Sequence, residues 1–191
     1  MLCVALVHYP TTNKEGKVVT TSVTNFDIHD IARASRTYGV ARYFIVTPIE
    51  PQQQFTKRIV AHWLEGAGAE YNPTRKDALE GVEVAGDLTA VGQAIARDFG
   101  REPIWVATSA KPYAHRITCS EMRSRLKKAP ETGEIFCLIF GTGSGLHPQV
   151  IEDADYILEP INGPTPFNHL SVRSAVSIYL DRLLALRSDA D

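Results

Sequence analysis

The chain has 191 residues, 44% of them hydrophobic and 22% charged, with a net charge of −2. That length suits one domain, spanning 1–191 and able to bury roughly 70% of its surface; the near-neutral balance argues for neither nucleic acid nor membrane. No run approaches the ~18 apolar residues of a membrane span, so no membrane partner is expected. Met1 to Val7 is apolar but short, with no basic start, and reads as a first strand rather than a signal peptide.

Tyr9 to Gly16 is polar and reads as a loop. A first helix is predicted after it, with Thr24 or Asn25 as cap, Asp27 in the first turn and Gly39 just past the end. Ile28, Ile31, Ala32, Ser35 and Tyr38 form its inner face, while His29, Arg33 and Arg36 share the opposite stripe. Ala41 to Thr47 is β-rich, and a helix is predicted over Gln53–Glu65, with Trp63 read as packing. Asn72 to Lys76 reads as a connector and Val82 to Ala85 as a strand. Asp87 opens a helix that closes at Gly100, and Ile104 to Ala107 is the next strand. Strand and helix alternating at these intervals predict an α/β fold with a mostly parallel sheet.

Ser120 to Lys128 is predicted helical, with Pro130 to Gly133 as a turn. Basic residues at Arg101, Lys111, Arg116, Arg123, Arg125, Lys127 and Lys128 face only Glu102 and Glu121, whereas 131–160 has acids and no Lys or Arg. This asymmetry allows a local basic face on a near-neutral protein, although a solvated helix face gives the same pattern. Cys3, Cys119 and Cys137 lack metal-ligand spacing, so no metal is expected; they read as buried thiols in a reducing cytoplasm.

The densest chemistry follows Ile135 to Phe140, a buried strand that runs into Gly141-Thr142-Gly143-Ser144-Gly145. Glycines at this density let backbone approach a ligand closely, and their N–H groups can cradle polar or anionic groups. A P-loop would need Gly-Lys where Leu146-His147 stand, and a dinucleotide fingerprint would need Gly at Leu146. A plain glycine turn between two strands remains open. A short apolar run, Tyr156 to Ile161, and the segment Asn168 to Ala175 complete the region, with a last helix predicted over Leu170–Leu186.

These blocks resemble the C-terminal motifs of the SPOUT RNA methyltransferases, the superfamily with a trefoil-knotted α/β fold that binds S-adenosylmethionine. Phe140 to Gly145 stands for the Gly-rich loop, Ile157-Leu158-Glu159-Pro160-Ile161 for the second strand, and Asn168-His169-Leu170-Ser171-Val172 for the start of the last helix. The similarity is strongest to compact bacterial proteins of the class, some of them joined to a tRNA guanine methyltransferase. It implies cofactor walls from Thr108, Ser109, Gly141, Thr142, Gly145, Leu158, Pro160, Ile161, Leu170 and Ala175. On this reading Gly141→Val should abolish cofactor binding without unfolding the chain.

The resemblance further implies methyl transfer to a tRNA or rRNA nucleotide by a homodimer, the wide apolar arc of the last helix supplying part of the contact. Arg33, six residues before Gly39, takes the position of the family's catalytic Arg. Asp27 stands where the 2′-O-methylating members have Asn, so 2′-O specificity is not implied. Asp27 and His29 are the nearest candidate bases. Arg36, Lys111, His115 and Arg116 become candidate RNA contacts, with Tyr113 a stacking surface. The alternatives are a non-catalytic RNA- or nucleotide-binding α/β protein, and a small-molecule enzyme that holds phosphate on the glycine loop.

Overall fold

The computed structural model describes residues 1–65 and 67–186. Its centre is β1 (Leu2–Val7), all six residues buried, which lies between β4 (Tyr43–Val46) and β7 (Phe136–Gly141). With β5 (Val82–Ala85), β6 (Ile104–Ala107) and β8 (Tyr156–Ile157) these make a six-stranded sheet in the order β5-β4-β1-β7-β6-β8, every pairing parallel. Strands buried on both faces read as continuous apolar runs, which is what the sequence of β1 and β7 shows.

Side chains alternate between two cores. Leu2, Val4, Leu6, Phe136, Leu138 and Phe140 face α1 (Asn25–Thr37), α6 (Cys119–Thr132) and α8 (Val172–Leu184). Cys3, Ala5, Val7, Cys137 and Ile139 face α5 (Leu88–Phe99) and α7 (Pro148–Glu152). The period of two along each strand makes this division. Each fully buried Leu or Ile, Leu180 of α8 among them, contributes about 1.5–3 kcal/mol.

Local chemistry moved several predicted boundaries. α2 (Glu50–Leu64) begins ahead of Gln53 because Pro51 fits the first turn, where its missing N–H has no helical partner to lose. Asn72 to Lys76 is not a connector: Asn72 caps α4 (Pro73–Leu79) by accepting from the Arg75 N–H, and α3 (Ala67–Tyr71) precedes it. α6 continues through Pro130 to Thr132 and stops at Gly133, in the left-handed region at φ +69°. α8 starts at Val172 with Ser171 as cap, leaving Leu170 outside it.

Within the predicted loop 9–16, Thr11–Thr12 forms β2, which pairs antiparallel with β3 (Val18–Val19). Among the described residues, no helix is long and apolar enough to cross a membrane.

Candidate active site

The chain runs β1, β4, β5 outward on one side, then fills the other side with β7, β6 and β8. The order therefore reverses between β1 and β7, and in parallel sheets ligands collect beyond the carboxyl ends of the strands at such a reversal. Strand register brings the segments that open at Thr108, Gly141 and Leu158 onto this one edge. Ala107 pairs with both Ile139 and Ile157, and Val7 pairs with Gly141. Leu158 N–H donates to the Ala107 carbonyl at 2.9 Å, and Asn168 Nδ2 donates to the Ala110 carbonyl at 3.2 Å. Three turns far apart in the chain converge.

The glycine loop differs from the open cradle that its composition suggests. Its N–H groups at Thr142, Ser144, Gly145 and His147 donate to the carbonyls of Val7, Thr12, Thr142 and Pro10. Thr12 N–H donates back to Gly145 at 3.0 Å, and Thr11 bridges Leu146, so the β2–β3 hairpin closes the loop from outside. Gly143 and Gly145 have φ of +64° and +111°, conformations that favour glycine. Thr142 Oγ1 bonds to the Val7 carbonyl and to Thr21 Oγ1, which meets His8 Nδ1 at 2.9 Å. The Thr142 hydroxyl is thus part of the scaffold. His8 is wholly buried, and burial lowers its pKa to about 4, partly opposed by Asp27.

Free backbone polarity lies on the segment that follows Pro160. Among the described residues, no backbone N–H from 162 to 170 reaches a protein acceptor. Beside it stand half-buried Pro160 and Ile161, buried Leu158, half-buried Ala175 in the first turns of α8, and exposed Leu170. Thr108 is buried, with its hydroxyl donating to the Ile139 carbonyl at 2.8 Å; Ser109 Oγ accepts from the Lys111 N–H at 3.0 Å. An edge with apolar walls and unmatched backbone donors fits a nucleoside bound through its base edge and ribose.

Glu159, to which the sequence reading gave no role of its own, holds the segment after Ile157 in place. Its Oε1 accepts from the Cys119 N–H at 2.7 Å at the start of α6, and its carbonyl accepts from Tyr179 Oη at 2.8 Å. It clamps the Leu158–Pro160 wall to α6 and α8. A lone carboxylate inside an apolar run was the available signal.

The α1 residues divide. Asp27 is buried, and its Oδ2 accepts from the Thr24 hydroxyl at 2.6 Å in a capping box, with Arg173 Nε 3.7 Å from Oδ1. Its carboxylate therefore serves the helix start. Arg36 closes on Asp77 with contacts of 2.6 and 3.0 Å, joining α1 to α4. His29 and Arg33 instead line a cleft of about 780 Å³ between α1 and α2. Burial, and then Arg75, hold the His29 pKa below its usual value. Lys111, His115 and Arg116 are exposed on the β6–α6 loop, with Tyr113 half-buried among them.

Residues 1–185 match the family model described as SAM-dependent RNA methyltransferase. This chain belongs to that family. Its methyl donor is S-adenosylmethionine, and the membership favours a catalyst over a non-catalytic binding protein. A tRNA (guanine-N(1)-)-methyltransferase of Nitratidesulfovibrio vulgaris is 43% identical over 180 residues, covering 94% of this chain and 41% of that protein. The chain thus spans about two fifths of that relative. Among solved structures, a probable methyltransferase from Bordetella pertussis Tohama I superposes with a TM-score of 0.61 at 16% identity, covering 97% of this chain and 96% of that one. The A. aeolicus TrmH/SpoU tRNA modifying enzyme superposes at 0.51 with 16% identity, covering 96% and 73%. The α/β fold with a mostly parallel sheet expected from the sequence is the fold observed.

Proposed function

We propose that this family member methylates a nucleotide of tRNA or rRNA at the carboxyl edge where the segments from Thr108, Gly141 and Leu158 meet. The observation that carries the reading is that convergence, with backbone donors left unmatched from 162 to 170. Bound there, S-adenosylmethionine supplies a methyl group already made electrophilic by its sulfonium. Leu158, Pro160, Ile161, Leu170 and Ala175 would wall its apolar parts, and the 162–170 backbone would hold its polar edge. Ser109 and Gly145 stand at the mouths of the neighbouring segments.

The chain's remaining task is alignment, for which effective molarities of ~10⁵ M or more are available. Arg33 has a guanidinium too basic to accept a proton, so its role is a bidentate grip on a phosphate beside the target. His29, kept neutral near pH 7, is in the form that takes up a proton, whereas the Asp27 carboxylate is held by Thr24. Lys111, His115 and Arg116 offer RNA contacts beside the donor.

The segment 158–171 lies against Ile117 and Ala110, which supports a threaded trefoil. Exposed Phe167 and Leu170, with the partly buried arc of α8, support a homodimer. The free buried thiols fit a cytoplasmic setting. Thermal shift tests the donor site, because a ligand that binds only the folded state raises its melting temperature. S-adenosylmethionine should raise it by several degrees where ATP and NAD do not; a response to ATP or NAD alone would point to the small-molecule enzyme instead.

A further inference from the structure

The cleft between α1 and α2 holds more than Arg33 and His29. Arg58 and His62 enter it from α2, Arg75 from α4, with Phe26, Phe55 and Trp63 as ring surfaces. Other arginines of this face are paired: Arg36 with Asp77, and Arg173 with Asp27 and Asp30. Arg33 and Arg58 have no carboxylate partner among the described residues. Among the described residues, the one acid lining the cleft, Asp30, is held by Arg173 Nη1 at 3.1 Å. The cleft therefore carries uncompensated positive charge in a near-neutral protein.

Its aromatic residues are arranged unequally. The Arg75 guanidinium lies 4.4 Å from the centroid of the Trp63 ring, while His29 and His62 meet that ring edge-on at 5.9 and 5.1 Å. Gly68 of α3 packs so tightly on the indole that a Cβ there would lie 2.8 Å from it. Trp63 and Arg75 thus form a fixed floor. Phe26 is capped by Arg173, at 5.2 Å. Phe55 is 45% exposed, and its ring makes no aromatic or cation contact among the described residues.

From this we infer that the α1–α2 cleft is a docking site for an unpaired RNA strand, with a base stacked on Phe55 and flanking phosphates held by Arg33 and Arg58. Cations interleaved with an open ring are what single strands require, because every base has a stackable face and each nucleotide brings a phosphate. A duplex would present phosphates but keep its bases inside, leaving Phe55 unused. Through Phe26 and Arg173 the cleft borders the start of α8, so a strand lying in it leads toward the donor edge. The inference rests on the RNA methyltransferase reading and adds where the substrate lies.

Fluorescence anisotropy of a labelled, unstructured twelve-nucleotide oligouridine, titrated with the full chain at several salt concentrations, tests it. Arg58→Ala and Phe55→Ala alter exposed side chains, and unchanged circular dichroism will verify their folding. Each should weaken binding about 5- to 10-fold, and Arg58→Ala should also reduce the salt slope by about 0.7. Affinity and slope equal to wild type in both variants would overturn the site. So would equal affinity for a blunt RNA duplex, or a shift from dimer to monomer in the variants with RNA affinity unchanged. If wild type transfers methyl groups while both variants bind RNA normally, the docking site fails and the catalytic reading stands. If no methyl is transferred but binding depends on Arg58 and Phe55, the docking site stands and the catalytic reading fails.

Discussion

A Cβ on Gly141 would stand 2.4 Å from the backbone nitrogen of Leu146, and 2.7 Å from the carbonyl carbon of Gly145. The loop folds back on its first residue, so that glycine is required by contact within the protein. The expected clean loss of cofactor binding in Gly141→Val therefore gives way to a structural effect. Even Gly141→Ala should cost about 3 kcal/mol, as overpacking against unyielding backbone does. Urea denaturation would report it as a lower midpoint. A midpoint equal to that of wild type would show that the loop has another way to close.

His8 gives stability a pH dependence. Its native pKa of about 4 lies below the ordinary 6.5, because burial disfavours the charged form. The unfolded chain therefore binds this proton more readily, and its contribution is intact above pH 6.5 and lost as pH falls from 6.5 toward 4. The loss is roughly 3 kcal/mol at most. His8→Asn keeps a partner for Thr21 and should flatten unfolding free energy across that window. A variant whose pH profile matches wild type would assign the acid sensitivity to other groups.

Glu159→Ala should loosen the donor wall on its α6 side by stranding the Cys119 N–H, while the Tyr179 bond to the residue's backbone carbonyl stays. A loss of about 1–3 kcal/mol is expected for one buried donor left unmatched, with weaker S-adenosylmethionine binding measured by calorimetry. Glu159→Gln retains an acceptor and should recover most of both. Equal behaviour of the two variants would remove the clamp from the account.

Arg33 and Arg36 lie less than one helical turn apart and should behave oppositely. Arg33→Ala is expected to cut methyl transfer at least 100-fold with donor affinity unchanged. Arg36→Ala breaks an exposed ion pair with Asp77 and should cost no more than about 1 kcal/mol, with activity kept. Comparable activity losses in the two would mean that the basic stripe works as a whole.

Much of the fold was legible because buried parallel strands write themselves as apolar runs: Leu2–Val7 and Phe136–Gly141 needed no more than that. Helix starts with side-chain caps were legible too, Asp87 directly and Thr24 as one of two candidates beside Asn25. The β2–β3 hairpin was hidden because two-residue strands have no periodicity, and with it the closure of the glycine loop. Motif resemblance located Gly141, Leu158 and Asn168 but could not say that the loop's N–H groups were already engaged. The partition of the α1 stripe depended on α2 and α4: Asp77 removes Arg36, while Phe55, Arg58 and Trp63 surround Arg33. No helical wheel of α1 contains those residues.

The central claim is methyl transfer to RNA governed by Arg33. Tritiated S-adenosylmethionine incubated with tRNA and rRNA from cells lacking this protein should label one of the two with wild type, and leave both unlabelled with an Arg33→Ala variant that still binds the donor. No label from wild type, or equal label from the two proteins, would contradict it.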